Sequence, residues 1–395
     1  MSNPIECVVV SAVRTAVGDF GGALRDVPST ELGSTVIRAA LDRCGLPGHE
    51  VDEVIMGQVY TAGIGPNPAR MAALRAGFPN EVPAMTVNKV CGSGLKSIAL
   101  GAQAIAAGTA RVVVAGGMES MSRAPYLAPD ARWGARMGHA KLVDAMIHDG
   151  LWDPTYDCHM AETAENLARH YSISRQQQDR YAALSQTRCQ RARGQGLFAA
   201  EIVPVTVPQR KGDPVEFAAD EHPRDNVTPE LLARLKPAFR SDGTITAGNA
   251  SGINDAAAAL VLTSEEDAKA RGLEPLATVR AAVSVGVDPK IMGIGPAAAI
   301  RKLLDRAGMS LDQIDLLEVN EAFAAQTLAV ARELDWDEAR VNVNGGAIAL
   351  GHPLGASGAR ITVTLLGEMH RRNARWGIAA LCIGGGMGIA VLFET

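Results

Sequence analysis

Apolar residues recur along this chain with two alternating periods. Short β-branched or Ala/Val-rich runs at residues 7–13, 51–56, Ala84–Val87 and 111–117 read as buried strands. Between them, residues 31–44, 68–76 and 95–107 carry Ala, Leu and Ile at helical spacing, and Gly45 is placed to stop the first of these helices. The same rhythm returns from residue 256. Strands are predicted over 257–262, 277–284, 314–319, 341–343 and 377–383, with helices over 264–271, 296–307, 321–334 and 356–371. A hairpin-like ending passes through Gly384-Gly385-Gly386 into residues 388–393. Such alternation predicts an α/β protein. Between the two regions the texture changes, with more charged, aromatic and Pro residues. Ser174-x-x-Gln177 there reads as a capping box ahead of a helix over 178–193, and Thr228-Pro229-Glu230 opens another. An excursion of this length is expected to lie over a site. The expected organisation is an N-terminal core half (1–118), an inserted loop domain (119–250) and a C-terminal core half (251–395).

The second half repeats the first. Leu41-Asp42-Arg43-Cys44-Gly45-Leu46, with Val51-Asp52, aligns without gaps on Leu304-Asp305-Arg306-Ala307-Gly308-Met309, with Ile314-Asp315. Val113-Val114-Ala115-Gly116-Gly117-Met118 aligns on Cys382-Ile383-Gly384-Gly385-Gly386-Met387. Two matches in the same order predict duplicated units facing each other, with a site at their junction.

Composition narrows the class. The chain has 395 residues, too many for one ordinary core, and 41 of them are Gly. A net charge of −5 argues against a nucleic-acid binder while leaving room for local cations around an anionic ligand. The six cysteines are dispersed without metal-binding spacing, so reduced thiols are expected. Residues 1–6 run straight into the first strand, and no apolar run reaches spanning length. A cytoplasmic protein without membrane contact is the expectation.

Candidate chemistry gathers at four stretches. In Asn88-Lys89-Val90-Cys91-Gly92-Ser93-Gly94, Cys91 stands at a strand-to-helix joint, where a helix N-terminus favours thiolate over thiol. It reads as a nucleophile, against the alternative of a buried structural cysteine. Gly351-His352-Pro353-Leu354-Gly355 matches that stretch in the repeat, with Gly355 opposite Gly94, so His352 falls opposite Cys91 as its base. Asn320 follows a buried strand and is either a helix cap or a holder of water or substrate near developing negative charge. Cys382 ends a strand before Gly384-Gly385-Gly386, and is either a second reactive thiol or a core residue, since Val113 occupies the matching position.

Together with Ala247-Gly248-Asn249-Ala250-Ser251-Gly252 and Val319-Asn320-Glu321-Ala322-Phe323, these stretches resemble the thiolase family over essentially the whole chain, and within it the biosynthetic acetyl-CoA acetyltransferases. The resemblance implies the thiolase fold, two duplicated α/β halves in a layered α-β-α-β-α core with an inserted loop domain. It implies that Cys91 takes the acyl group, that His352 activates it, and that Cys382 moves the α-proton of the second acyl-CoA. One oxyanion hole would be His352 with a water held by Asn320, the other the backbone N–H groups of Cys91 and Gly384. For coenzyme A it implies His159 and Met160 near the pantetheine, Arg224 and Phe239 near the nucleotide, and Ala247 and Ser251 along the tunnel. From the residues alone, Arg224 reads as a solvated charge and His159 as a helix-start residue. Met292, and Phe323 of the Asn320 motif, complete the substrate set, with Met292 limiting the acyl end to short groups. The implied partners are acetyl-CoA, acetoacetyl-CoA and CoA, with CoA a substrate rather than a bound cofactor and no metal. A loop around residues 123–143 implies a homotetramer built as a dimer of dimers. The rival readings are a degradative 3-ketoacyl-CoA thiolase of broader chain length and a non-catalytic acyl-CoA-binding relative.

Overall fold

The computed structural model describes residues 5–395. Nine strands form the path of its large mixed sheet: β1 (Cys7–Thr15), β2 (Glu53–Gly57), β3 (Ala84–Val87), β4 (Val112–Ser120), β5 (Asn254–Ser264), β6 (Ala277–Gly286), β7 (Leu316–Val319), β8 (Trp376–Ile383) and β9 (Met387–Glu394). Their spatial order is β7-β8-β9-β6-β1-β5-β4-β2-β3. The sheet is two sheets joined at one seam, where Val8 and Val9 of β1 pair antiparallel with Thr278 and Ala277 of β6. On one side β2 and β3 run parallel to β4, and on the other β7 runs parallel to β8.

Four of its helices cover the two outer faces and fill the space between the halves. Helix α1 (Ser29–Cys44) packs Val36, Ile37 and Leu41 on Val114 and Met118 of the first half. Helix α3 (Gly295–Ala307) packs Ile300, Leu303 and Leu304 on Val319, Ile378 and Leu392 of the second. Between the halves lie α2 (Ser93–Ala106) and α4 (Leu354–Arg372), whose Leu95, Ile98, Ile361 and Leu365 meet Leu260 from one half and Val391 from the other. Full burial of each such side chain stabilises the fold by about 1.5–3 kcal/mol. The central helices touch backbone to backbone, because a β-carbon at Gly94 would stand 2.8 Å from the Ala359 nitrogen. The layers therefore run α-β-α-β-α.

Duplication is visible in backbone detail. Helices α1 and α3 both end on a left-handed glycine, Gly45 at φ 66 and Gly308 at φ 65. Asp52 accepts hydrogen bonds from the Arg111 and Val112 N–H groups ahead of β4 (2.7 and 3.0 Å). Asp315 does the same for Arg375 and Trp376 ahead of β8 (2.9 and 2.8 Å). This register corrects the second sequence alignment. Val112 corresponds to Trp376, so Cys382 is matched by Met118 and not by Val113. The slip is five residues, an odd number, and an odd slip turns a strand residue to the other face. Met118 and Cys382 both point away from the central helices, whereas Val113 packs among them.

Three further expectations change. Strand β3 is a partly exposed edge, since an apolar run of four residues looks alike at the edge and in the core. Residues 341–343 make only a single bridge, Leu317 to Val341, at the place corresponding to β3. Strand β5, expected in the second half, pairs on both sides with first-half strands.

The insertion contains the helices Met160–His170 and Arg175–Gly194. The capping box closes the second as expected, with Gln177 N–H donating to Ser174 Oγ (3.3 Å) and Ser174 N–H to Gln177 Oε1 (2.8 Å). Thr228 caps only a single turn, Pro229–Leu232. Glu165 ties the first helix to the following chain, accepting from Thr244 N–H at 2.6 Å and Ile245 N–H at 2.8 Å. Among the described residues no helix is long and apolar enough to cross a membrane.

Candidate active site

The turn between β3 and α2 is tightly built. Asn88 Oδ1 accepts from Val90 N–H (2.9 Å), while Ser93 Oγ accepts from Lys89 N–H (2.8 Å) and donates to the Val90 carbonyl (2.6 Å). These bonds hold Val90 at φ 47, a left-handed conformation that costs a β-branched residue about 1–3 kcal/mol. The strained residue delivers Cys91 two positions ahead of α2, buried beside Val59, Tyr60 and Leu354. Burial pushes the Cys91 thiol up to about 11. The Gly384 and Cys91 backbone groups pull it down, and Glu119 pushes it further up. Desolvation thus acts against the helix end and favours the thiol.

Cys382, the penultimate residue of β8, is fully buried in a cluster with Met160, Met292, Ala322 and Phe323. Burial raises its thiol, and the neighbouring Cys91 adds to the rise, so the two sulfurs lie within electrostatic reach. Gly384 follows, and a β-carbon there would touch Met160 Cε (2.9 Å) and Val90 Cγ1 (3.4 Å). The backbone of the second half thus closes on the Cys91 turn.

His352 stands two positions ahead of α4, as Cys91 does ahead of α2. Burial, followed by the nearby Arg360 cation, lowers its ring to about 3, so the imidazole is neutral. Ser357 Oγ donates to the Pro353 carbonyl (2.8 Å), which leaves it to accept from His352 Nδ1–H at 2.6 Å. The basic lone pair is then on Nε2, 3.3 Å from Asn320 Nδ2. Asn320 Oδ1 is buried without a hydrogen-bond partner among the described residues. Asn320 is not a cap, because the following helix starts at Ala324. Its strand end is fixed by Asn342, whose amide pairs with both Val319 N–H and Val319 C=O (2.8 Å each).

The remaining positions form an approach. Met292 lies buried in the short turn Pro289–Ile294, and Phe323 bridges to Ala250, with Ser251 N–H donating to the Ala322 carbonyl at 3.0 Å. Ala247 is exposed on the same loop. His159 caps the Met160–His170 helix through Nδ1 and stacks on Phe239, with centroids 4.5 Å apart. That pair lines an open cavity of about 750 Å³ with Trp152 and Lys290, whose ammonium sits 4.7 Å from the Tyr156 ring centroid. Arg224 is apart from this cavity, largely exposed, with Nη2 3.9 Å from Asp19 Oδ2. Sequence reasoning missed Ser357, which a hydroxyl in the first turn after His352 does signal. It also missed Glu119, which accepts from Val59 and Gly355 N–H groups (2.9 Å each) and has no local signal.

Two buried thiols within electrostatic reach of each other, and a neutral imidazole on the turn whose Leu354 packs beside Cys91, gather at the joint of duplicated α/β halves, an arrangement suited to acyl transfer. Family models described as "Thiolase, N-terminal domain" and "Thiolase, C-terminal domain" match residues 7–266 and 273–395, and the chain belongs to the thiolase family. The acetyl-CoA acetyltransferase of Pseudomonas aeruginosa is 62% identical over 386 residues, spanning 98% of each chain. The crystal structure of the Bacillus anthracis acetyl-CoA acetyltransferase matches with a TM-score of 0.97 at 50% identity, covering 100% of both chains. Human mitochondrial 3-ketoacyl-CoA thiolase in complex with CoA gives 0.95 at 45% identity, covering 100% of this chain and 99% of that one.

Proposed function

We propose that this chain is an acetyl-CoA C-acetyltransferase that condenses two acetyl-CoA molecules reversibly to acetoacetyl-CoA and CoA, by a ping-pong route through an acetylated Cys91. In this reading His352 Nε2 takes the Cys91 proton as the sulfur attacks the first thioester, and Cys382 gives its own proton to the departing CoA sulfur, leaving a thiolate beside the imidazolium. The Cys382 thiolate then removes the α-proton of the second acetyl-CoA, and the carbanion attacks the Cys91 thioester, releasing the Cys91 sulfur, which takes back its proton from His352. Charge on the enolate oxygen falls to His352 and a water held by Asn320 Oδ1. Charge on the acyl-enzyme oxygen falls to the Cys91 and Gly384 N–H groups. The observation that carries the reading is a pair of buried thiols within electrostatic reach of each other, with a neutral imidazole paired to the Asn320 amide on neighbouring turns.

The approach past His159 and Met160 serves the pantetheine, with Ala247 and Ser251 along the tunnel and Phe239 and Arg224 toward the nucleotide, Arg224 as a cation for its phosphates. Met292 and Phe323 close the acyl end to short chains. The enzyme works as a homotetramer, a reading supported by Trp133 and Met137, which are 83% and 99% exposed on the 123–143 loop. A cytoplasmic location fits six free cysteines. The test is thiolysis of acetoacetyl-CoA against 3-ketohexanoyl- and 3-ketodecanoyl-CoA. Preference for acetoacetyl-CoA is expected. Equal cleavage of the long substrate means a degradative 3-ketoacyl-CoA thiolase, and cleavage of none of them means a binding protein.

A further inference from the structure

The His352 ring is oriented by Ser357 and Asn320, but its backbone is held by a different residue. The His352 N–H donates to Asn254 Oδ1 at 2.9 Å. Asn254 is fully buried at the start of β5, and its Nδ2 donates to the Gly18 carbonyl (3.1 Å) and to Asp19 Oδ1 (3.3 Å). Asp19 in turn is bonded to His222 Nδ1 from the insertion. The Asn254 amide also fills the space that a β-carbon would need at Gly351, whose φ is 97. One line of hydrogen bonds thus runs from His222 through Asp19 and Asn254 to the turn that carries the imidazole.

We propose that Asn254, aimed by Asp19, is a positioning residue for His352. The amide is suited to this task because it needs an acceptor toward His352 N–H and donors toward Gly18 and Asp19 at once, and only one orientation supplies both. Without it the Gly351-His352 peptide loses its buried partner and the glycine loses its packing, so Nε2 drifts from Cys91. Misplacement of a catalytic group by about 1 Å costs on the order of 10²-fold in rate. The assignment rests on the reading of His352 as the base, and the test separates the two.

Asn254→Ala should lower kcat for acetoacetyl-CoA thiolysis by about 10²-fold, leaving KM within about twofold, because no substrate contact is removed. In a His352→Ala background the same change should cost no more than about threefold further, since the group it positions is gone. If the two losses multiply, Asn254 acts independently of His352 and the proposal is overturned. If His352→Ala alone is near wild type, the base assignment has failed instead. A second pair covers a misfolded alanine variant. Asn254→Asp sets a carboxylate against Asp19 and should be impaired, and adding Asp19→Asn restores a donor–acceptor pair and should recover at least about tenfold. Absence of that recovery overturns the role of Asp19.

Discussion

The resting protonation state of Cys91 makes a sharp prediction about alkylation. With its thiol pushed up to about 11 by burial and His352 lowered to about 3, both groups are neutral between pH 5 and pH 9. At pH 8 the thiolate fraction is then about 10⁻³, and it grows about tenfold with each pH unit up to pH 10. The raised value also means that the folded state favours the thiol. Its stabilising contribution is complete below the ordinary thiol value and fades as pH rises through about 11, so the protein remains folded across the assay range. Iodoacetamide inactivation should be followed from pH 7 to pH 10, with peptide mass spectrometry assigning the adduct to Cys91, because the partly exposed Cys44 and Cys158 also react. The logarithm of the rate constant should climb with unit slope and no plateau. His352→Ala should leave that slope unchanged, since a neutral ring contributes no charge. A plateau beginning near pH 7 and abolished by His352→Ala would reveal a thiolate–imidazolium pair and refute the reasoning.

Other outcomes follow from the same geometry. Cys382→Ser should still acquire one acetyl group from acetyl-CoA, but lose roughly 10²–10⁴-fold in turnover; near-full turnover would make this thiol a core residue. Met292→Ala should open the acyl end and narrow the preference for acetoacetyl-CoA, each accommodated methylene being worth about 0.8 kcal/mol, while truncation of a buried Met costs about 2–5 kcal/mol of stability by thermal melting. Replacing residues 128–142 by a short Gly/Ser linker should convert a tetramer into a dimer on light scattering; an unchanged mass would place the contact elsewhere.

Much of the fold is legible because it is local. Helix ends were marked by Gly45, Gly308 and the Ser174–Gln177 box, and the long helices follow from apolar spacing. The placing of His352 opposite Cys91 holds because a Gly-rich turn before each central helix is a local pattern repeated twice. What failed depended on pairing between distant strands. The string Gly116-Gly117-Met118 resembles Gly385-Gly386-Met387 in composition, but register is set by Asp52 and Asp315 on backbone N–H groups about 60 residues away. Asn254 and Glu119 reach the His352 turn only because β5 and β4 lie side by side, with Ala256 opposite Glu119. Burial of Cys91, to which Val59, Tyr60 and Leu354 contribute from two other segments, acts against the helix N-terminus and is invisible in the local string.

The corrected register explains why a symmetric scaffold carries one site rather than two. Met56 and Gly116 are paired as Val319 and Ala380 are, so Asn320 corresponds to Gly57 and Cys382 to Met118. In the first half those positions serve packing. A β-carbon at Gly57 would stand 2.6 Å from the Gly94 nitrogen, so no side chain fits beneath α2, and Met118 lies in the core under α1. In the second half the same positions face a different covering. Cys382 meets the Met160 helix and the Met292 turn rather than a helix laid flat across the strand, and Asn320 has room to reach His352. The insertion and the 289–294 turn break the symmetry. They convert two packing positions into a thiol and an amide, while Cys91 comes across the joint from the other half. The strained Cys91 turn meets Gly384 across that joint, a contact that neither half makes alone.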